Sequence, residues 1–420
     1  MSYADPSKLA VLACPGGEAF AGEVIVHLKH CYRQKFEKAV TNLAQHHGMT
    51  REEVLRQLTF VHDAANLSTA GTGKFLSPRF KVDARFTLFA NGEIKAEILE
   101  SVRGKCVYIV EDVENRCPLT FYGGVRRSFS VNDHIMSVLV TVDAVKQAGA
   151  ERITLVLPNY PYSRQHKRKG REGLTASRIG IILESLGVDR LLTLDIHSRE
   201  ISNAFRTMGF ESLHASYQII RELSKMAQIR EGNFVVVSPD TGAVDRNKFY
   251  ANSFKKPLAL LYKERDYSRV TKDAGESNIA ELRLLGSVKD KTVFMADDIL
   301  GSGATLLKAM GFLKEQGALD VIAAISLPLF SGAAMDYFDE AFRQGLFYRI
   351  IGTNAVYHEE LLKKEWYIPV SVSKLFARTI SRLHQELSVS SLLDNRDLIE
   401  KLLSVENETK EPAVPGDCCS

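Results

Sequence analysis

Two adjacent carboxylates followed by a run of small residues stand in Thr292-Val-Phe-Met-Ala-Asp-Asp-Ile-Leu-Gly-Ser-Gly-Ala-Thr-Leu306. The apolar start of this segment reads as a buried strand that delivers Asp297 and Asp298 to its carboxyl end, where open α/β sheets bind ligands. Gly301 and Gly303 let backbone N–H groups converge, and a helix starting near Ala304 adds partial positive charge, so the turn suits a phosphate. Ser302 and Thr305 supply hydroxyl donors. An acid pair beside a phosphate nest describes a sugar-phosphate site, with carboxylates accepting from ribose hydroxyls and the nest holding the 5-phosphate. Taken alone, the segment also suits an ordinary Asp cap with a glycine turn before a helix.

Other strand ends carry further candidates. Leu191-Leu-Thr-Leu-Asp-Ile-His197 ends with Asp195 and His197, two residues apart and therefore on one face of an extended chain. The pair suits metal or acid–base work, or a satisfied structural histidine. Phe234-Val-Val-Val-Ser-Pro-Asp240-Thr-Gly242 presents Asp240 either as a ligand carboxylate or as the cap of an Asx turn. Carboxylates recurring at strand ends in both halves favour the functional reading. Two basic runs, Tyr162-Ser-Arg-Gln-His-Lys-Arg-Lys-Gly-Arg171 and Lys263-Glu-Arg265, follow apolar runs. Such runs are commonly solvated faces, yet a polyphosphate donor needs them, because phosphoryl-type transfer is mostly positioning and charge neutralisation. A Walker A loop is excluded around Gly73-Lys74, since position 68 is Ser rather than Gly and position 75 is Phe rather than a hydroxyl residue. No strand-linked G-x-G-x-x-G is present either.

These side chains need a scaffold, and the pattern supplies one. Val107 to Val110, Ile153 to Leu157, Leu191 to Leu194, Phe234 to Val237, Val293 to Met295 and Val321 to Ile325 read as buried strands. Ile135 to Lys146, Ser177 to Leu186 and Thr305 to Lys314 have helical spacing, with Gly149, Gly187 and Gly317 as stops. Strand–helix–strand alternation predicts an α/β protein with mainly parallel sheets covered on both faces. The 420 residues, 45% hydrophobic and 25% charged, describe a globular chain of two or three domains. A net charge of +3 is too small to argue for nucleic-acid or membrane binding, so any anion site must be local. The six cysteines show no zinc or disulfide spacing and read as reduced thiols. The apolar run Leu9 to Cys14 is too short for a signal core, and no run approaches the roughly 20 apolar residues of a membrane span. The expected address is the cytoplasm.

The chain also repeats itself. Val102-Arg-Gly-Lys-Cys-Val-Tyr-Ile-Val-Glu-Asp-Val113 aligns with Val288-Lys-Asp-Lys-Thr-Val-Phe-Met-Ala-Asp-Asp-Ile299, and Lys146-Gln-Ala-Gly-Ala150 aligns with Lys314-Glu-Gln-Gly-Ala318. The offset shortens between the two matches, which places an insertion at about 114–131 in the first copy. Two duplicated α/β domains are expected, with a boundary between 212 and 213. A C-terminal helix over about 372–397 is expected to pack back on the first domain, followed by a disordered tail over 398–420. Residues 31–80 and 114–131, the latter with Arg126-Arg127, are read as accessory insertions.

Together these residues resemble the ribose-phosphate pyrophosphokinase (phosphoribosyl pyrophosphate synthetase) family. The resemblance runs from about Phe86 to Asn395 and rests on Phe89-Ala-Asn-Gly-Glu-Ile94, Ser101-Val-Arg-Gly-Lys105, Asn132-Asp133, Tyr162-Ser-Arg-Gln165, Leu194-Asp-Ile-His197, Ser238-Pro-Asp240, Lys263-Glu-Arg265, Ala296-Asp-Asp298, Ser331-Gly332 and Ser388-Val-Ser-Ser-Leu392. It implies two phosphoribosyltransferase-type domains. It further implies transfer of an intact pyrophosphoryl group from MgATP to the 1-hydroxyl of ribose 5-phosphate, releasing AMP. By the same resemblance, Phe89, Asn91, Glu93, Arg164 and Gln165 bind ATP, and His197 and Asp240 help hold Mg2+. Lys263 and Arg265 are the catalytic pair on a closing loop, while Asp297, Asp298, Ser302, Gly303, Ala304 and Thr305 hold ribose 5-phosphate. A homo-oligomer is implied, with the Phe89 segment entering a neighbouring subunit's site.

The sequence departs from the family pattern at His166, Asn91 and Gly301, each standing where the family usually has aspartate. A non-catalytic, synthetase-like regulatory subunit is the alternative reading. Retention of Lys263, Arg265, His197, Asp240, Asp297 and Asp298 favours an enzyme. A phosphoribosyltransferase that consumes the activated sugar is disfavoured, because it would need one such domain and no ATP site.

Overall fold

The computed structural model describes residues 5–57, 78–168, 170–264 and 281–406. They form two compact units, the first from residues up to 213 with 373–393, the second from 214–372 with 394–406. In the first, the elements are β1 (Leu9–Ala13), α1 (Glu18–His47), the hairpin β2 (Ala84–Leu88) and β3 (Ile94–Ile98), β4 (Cys106–Val110), the short pair β5 (Leu119–Thr120) and β6 (Arg126–Arg127), α2 (Val131–Gln147), β7 (Arg152–Val156), α3 (Thr175–Ser185), β8 (Arg190–Leu194) and β9 (Gly209–Leu213). Five of these strands make a parallel sheet in the order β1-β4-β7-β8-β9. Its continuous apolar strands are covered by side chains of α2 and α3, such as Val138, Val142 and Leu183, all at most 2% exposed.

The second unit contains α4 (Ser216–Leu223), α5 (Ala227–Arg230), β10 (Phe234–Ser238), α6 (Val244–Phe254), β11 (Leu258–Glu264), β12 (Glu281–Leu285), β13 (Thr292–Leu300), α7 (Ala304–Glu315), β14 (Val321–Pro328), α8 (Ala334–Arg343), β15 (Arg349–Thr353) and β16 (Tyr367–Val370). Its sheet runs β12-β11-β10-β13-β14-β15-β16, parallel except for the edge strand β12. Successive connections leave the β10–β13 pair in opposite directions, so a topological switch point lies between those two strands. Gly149, Gly187 and Gly317 close α2, α3 and α7 at φ of 83°, 90° and 87°, a left-handed turn that costs glycine little.

Both units carry the repeat as a strand–helix–strand unit, β4–α2–β7 in one and β13–α7–β14 in the other. The apolar run at the N-terminus is the edge strand β1, whose outer side takes backbone hydrogen bonds from and to the Phe80–Val82 segment at 2.7 and 2.9 Å. The C-terminal expectation needs correction. Residues 372–397 are not one helix: α9 (Ser373–His384) ends where Glu386 adopts φ 56°, and α10 (Ser390–Leu393) is a separate turn. Helix α9 lies along α1 in the first unit, with the Phe20 and Phe376 rings edge to face at 5.2 Å. Nor do residues 398–406 form a tail, because α11 (Arg396–Glu406) packs on α4 and α6 of the second unit. Ile399, Leu402 and Leu403 recur at helical spacing, and Ile399 is buried, which a charge-based reading of this stretch overlooked. Among the described residues no helix is long and apolar enough to cross a membrane.

Candidate active site

The acid pair of the second unit is held by a break in the sheet. Strands β10 and β13 pair only as far as Val236 and Phe294 and then diverge. Ala296, just beyond, would be left with an unpaired backbone N–H and C=O. The side chain of Asn247, fully buried on α6, takes both: Oδ1 accepts from Ala296 N and Nδ2 donates to Ala296 O, each at 2.8 Å. Asp297 and Asp298 follow at once. Asp298 N donates to Asp297 Oδ1 at 2.8 Å and Ile299 N to Asp298 Oδ1 at 2.9 Å. Burial first, and then the charge of Asp298, push the Asp297 carboxyl up to about 7. Arg246, also on α6, brings Nη2 to 3.9 Å from Asp298 Oδ2 and donates through Nη1 to Ser326 Oγ at 3.4 Å.

The turn after the acids is built to leave its amides open. Gly303 sits at φ 75°, and a Cβ there would stand 2.3 Å from Phe338 Cε2, so only glycine fits. As the N-cap of α7, Gly303 has no side chain to satisfy the first-turn N–H groups, which face outward beside exposed Ser302, Ala304 and Thr305. Ser331 N donates to Gly301 O at 3.0 Å and ties this turn to the segment after β14. Asp240, at the end of β10 on the other side of the switch point, is exposed. Its Oδ1 accepts from Ala243 N, three residues on, at 2.9 Å, just before α6 begins. Lys263 lies with its backbone in β11, opposite Leu282. Its side chain and the whole of Arg265 lie outside the described residues.

In the first unit the sequence candidates gather at the carboxyl ends of β7 and β8 and at the tip of the β2–β3 hairpin. Tyr162, at φ 56°, turns the chain after β7. Its hydroxyl donates to Asn132 Oδ1 at the start of α2, and its carbonyl accepts from Gln165 N at 2.8 Å. Arg164 and Gln165 are exposed beyond that turn. His166 comes next, its Nδ1 3.2 Å from the Ser163 carbonyl and its ring 5.1 Å from the ring of His197, edge to face. Burial and the neighbouring His197 charge lower the His166 pKa. At the hairpin tip, Phe89 N donates to Glu93 O, Gly92 N donates to Phe89 O, and Asn91 Oδ1 accepts from Glu93 N. Phe89, at that tight turn, is 48% exposed.

The first unit's copies of the acid pair have another fate. Glu111 and Asp112 align with Asp297 and Asp298, yet they are 0% and 2% exposed. Glu111 Oε1 lies 2.7 Å from Nδ1 of buried His134, whose Nε2 lies 2.8 Å from the Asn115 carbonyl. Asp112 Oδ1 accepts from Glu114 N at 3.0 Å. In this copy the carboxylates anchor the inserted segment. Sequence reasoning missed Arg246, Asn247, Glu111 and His134; the two on α6 had a signal, since they open the helix directly after the Asp240 turn.

Against protein-family models, residues 79–187 match the N-terminal domain of ribose phosphate pyrophosphokinase and residues 209–342 match the phosphoribosyl transferase domain. A ribose-phosphate pyrophosphokinase 2 of Enterococcus faecalis is 32% identical over 313 residues, covering 74% of this chain and 88% of the relative. The chain belongs to the ribose-phosphate pyrophosphokinase family. A ribose-phosphate pyrophosphokinase of Nostoc sp. is 33% identical over 307 residues, 72% of this chain and 84% of that one. Among solved structures, phosphoribosylpyrophosphate synthetase from Mycobacterium smegmatis covers 90% of this chain and 99% of its own, with TM-score 0.66 and 24% identity, a likeness of fold. Both family-model matches exclude α1 and the segment to residue 78, and the inserted β5–β6 pair lies inside the first of them.

Proposed function

We propose that this chain is a ribose-phosphate diphosphokinase, transferring the β,γ-pyrophosphoryl group of ATP to the 1-hydroxyl of ribose 5-phosphate. The observation that carries this reading is the acid pair and the uncapped α7 turn at the β10–β13 switch point, in a chain of this family. A furanose 5-phosphate suits both parts, its phosphate on the first-turn amides with Ser302 and Thr305, its 2- and 3-hydroxyls on Asp297 and Asp298. Arg246, with Nη2 3.9 Å from Asp298 Oδ2, sets a positive charge beside that carboxylate.

In the reaction so assigned, the sugar's 1-hydroxyl oxygen attacks the β-phosphorus, the bond from that phosphorus to the α–β bridging oxygen breaks, AMP leaves, and the hydroxyl proton is released. Phe89 stacks the adenine, Asn91 and Glu93 meet its polar edge, and Arg164 and Gln165 hold the nucleotide. Lys263 and Arg265 neutralise charge developing on the transferring group. Mg2+ delivered with ATP would be held mainly by phosphate oxygens and water; Asp240 offers it an exposed hard-oxygen carboxylate, and the exposed imidazole of His197, the other residue the resemblance assigns to it, is a poorer donor for this ion. Bound there, Mg2+ would neutralise triphosphate charge. We assign the enzyme to the cytoplasm as a homo-oligomer in which the Phe89 hairpin serves a neighbouring subunit. The test is AMP formation from ATP dependent on both ribose 5-phosphate and Mg2+; its absence under every metal and phosphate condition would instead support a regulatory subunit.

A further inference from the structure

The inserted segment after β4 has no part in the chemistry above, yet it is tied to the nucleotide-base hairpin. Leu119, Phe121 and Phe129, none more than 8% exposed, form a small core of their own, and Phe86, Leu88 and Ile94 of β2 and β3 pack against it. The Phe121 and Phe129 rings are 4.8 Å apart, and Phe129 meets the His134 ring edge to face at 5.4 Å. Tyr122 N donates to Phe86 O at 2.8 Å, and the Arg85 guanidinium covers the Tyr122 ring at 4.5 Å. Phe121 N donates to Val125 O at 2.8 Å and closes the turn of the insert itself. Arg127, on β6, brings Nη1 to 3.6 Å from where a Cβ of Gly92 would stand, at the turn that exposes Phe89.

We propose that the β5–β6 hairpin is a nucleotide-positioning arm on which the Phe89 turn is mounted, and that Arg127, beside Gly92 in that turn, is its positioning residue. This rests on the reading of Phe89 as the adenine-stacking residue. A β2–β3 hairpin without the arm would expose Phe86, Leu88 and Ile94 on one face and carry its tip on two short strands, a weak mount for a base-reading ring.

The experiment compares Arg127→Ala, Arg127→Lys, Phe121→Ala and Phe89→Ala in steady-state kinetics, with GTP tested against ATP as donor. Arg127→Ala is expected to raise KM for ATP by about tenfold, the effect of one lost contact of ~1.4 kcal/mol, and to narrow the preference for ATP over GTP. The KM for ribose 5-phosphate and the melting temperature should stay at wild-type values, and Arg127→Lys should restore part of the loss. Phe121→Ala should act in the same direction; if it does not fold, Arg127→Ala decides alone. If Phe89→Ala raises KM for ATP while Arg127→Ala leaves it and the donor preference unchanged, the arm has no positioning role. If Phe89→Ala itself leaves KM for ATP unchanged, the reading of the hairpin falls.

Discussion

Replacing Asp297 with Asn should stabilise this protein at alkaline pH while abolishing its reaction. Burial and the adjacent Asp298 charge raise the Asp297 carboxyl to about 7 from an ordinary aspartate value of 3.8. Between those values the folded chain binds a proton that the unfolded chain has released, so stability falls as pH rises from about 4 to about 7 and stays low above it. At 1.36 kcal/mol per pKa unit, this carboxyl costs roughly 2–4 kcal/mol at pH 8, shared with Asp298 because the pair titrates together. Asn removes the charge and keeps an Oδ1 to accept from Asp298 N, a hydrogen bond of 2.8 Å in the wild type. The variant should therefore melt roughly 5–10 °C above wild type at pH 8, with a gap smaller by more than half at pH 5. Its kcat/KM for ribose 5-phosphate should fall by at least about a hundredfold, since a charged acceptor for a sugar hydroxyl is lost. Differential scanning calorimetry at both pH values beside the AMP assay checks both halves. A variant less stable than wild type at pH 8, or an equal gap at both pH values, would refute the reasoning.

Three further substitutions probe the supports of the site. Asn247→Ala should cost about 2–4 kcal/mol, read from denaturant unfolding, because it leaves the buried N–H and C=O of Ala296 without partners. Gly303→Ala sets a Cβ against Phe338 at a φ of 75°; it should lower the melting temperature and raise KM for ribose 5-phosphate while leaving KM for ATP within about twofold. Lys263→Ala should lower kcat by about a hundredfold or more with an unchanged melting temperature, which kinetics beside calorimetry would show.

Much of the framework was legible because it is local. The runs at 107–110, 191–194, 234–237, 293–295 and 321–325 lie in strands, and that at 153–157 does so except for Leu157, one residue past the end of β7, since continuous apolar β-branched stretches have few other stable fates in a chain of this length. The start of α7 at Ala304 followed from glycine and small residues after an acid pair. The unread features depend on partners distant in the chain. Asn247 matters only because β10 and β13 diverge 49 residues further on, at Ala296. Glu111 aligns with Asp297 in the repeat, and only the tertiary structure reveals the buried His134 beside it. The short strands β5 and β6 have no periodicity to detect, and their stability comes from Phe86, Leu88 and Ile94 on another hairpin.

The central claim is that a pyrophosphoryl group passes intact from ATP to the anomeric hydroxyl. Phosphorus-31 NMR of enzyme incubated with ATP, Mg2+ and ribose 5-phosphate tests it most directly. Intact transfer yields equal amounts of AMP and a sugar carrying both a 5-monophosphate and a 1-diphosphate. Formation of ADP with a ribose bisphosphate, or ATP left intact beside unreacted ribose 5-phosphate, would contradict it.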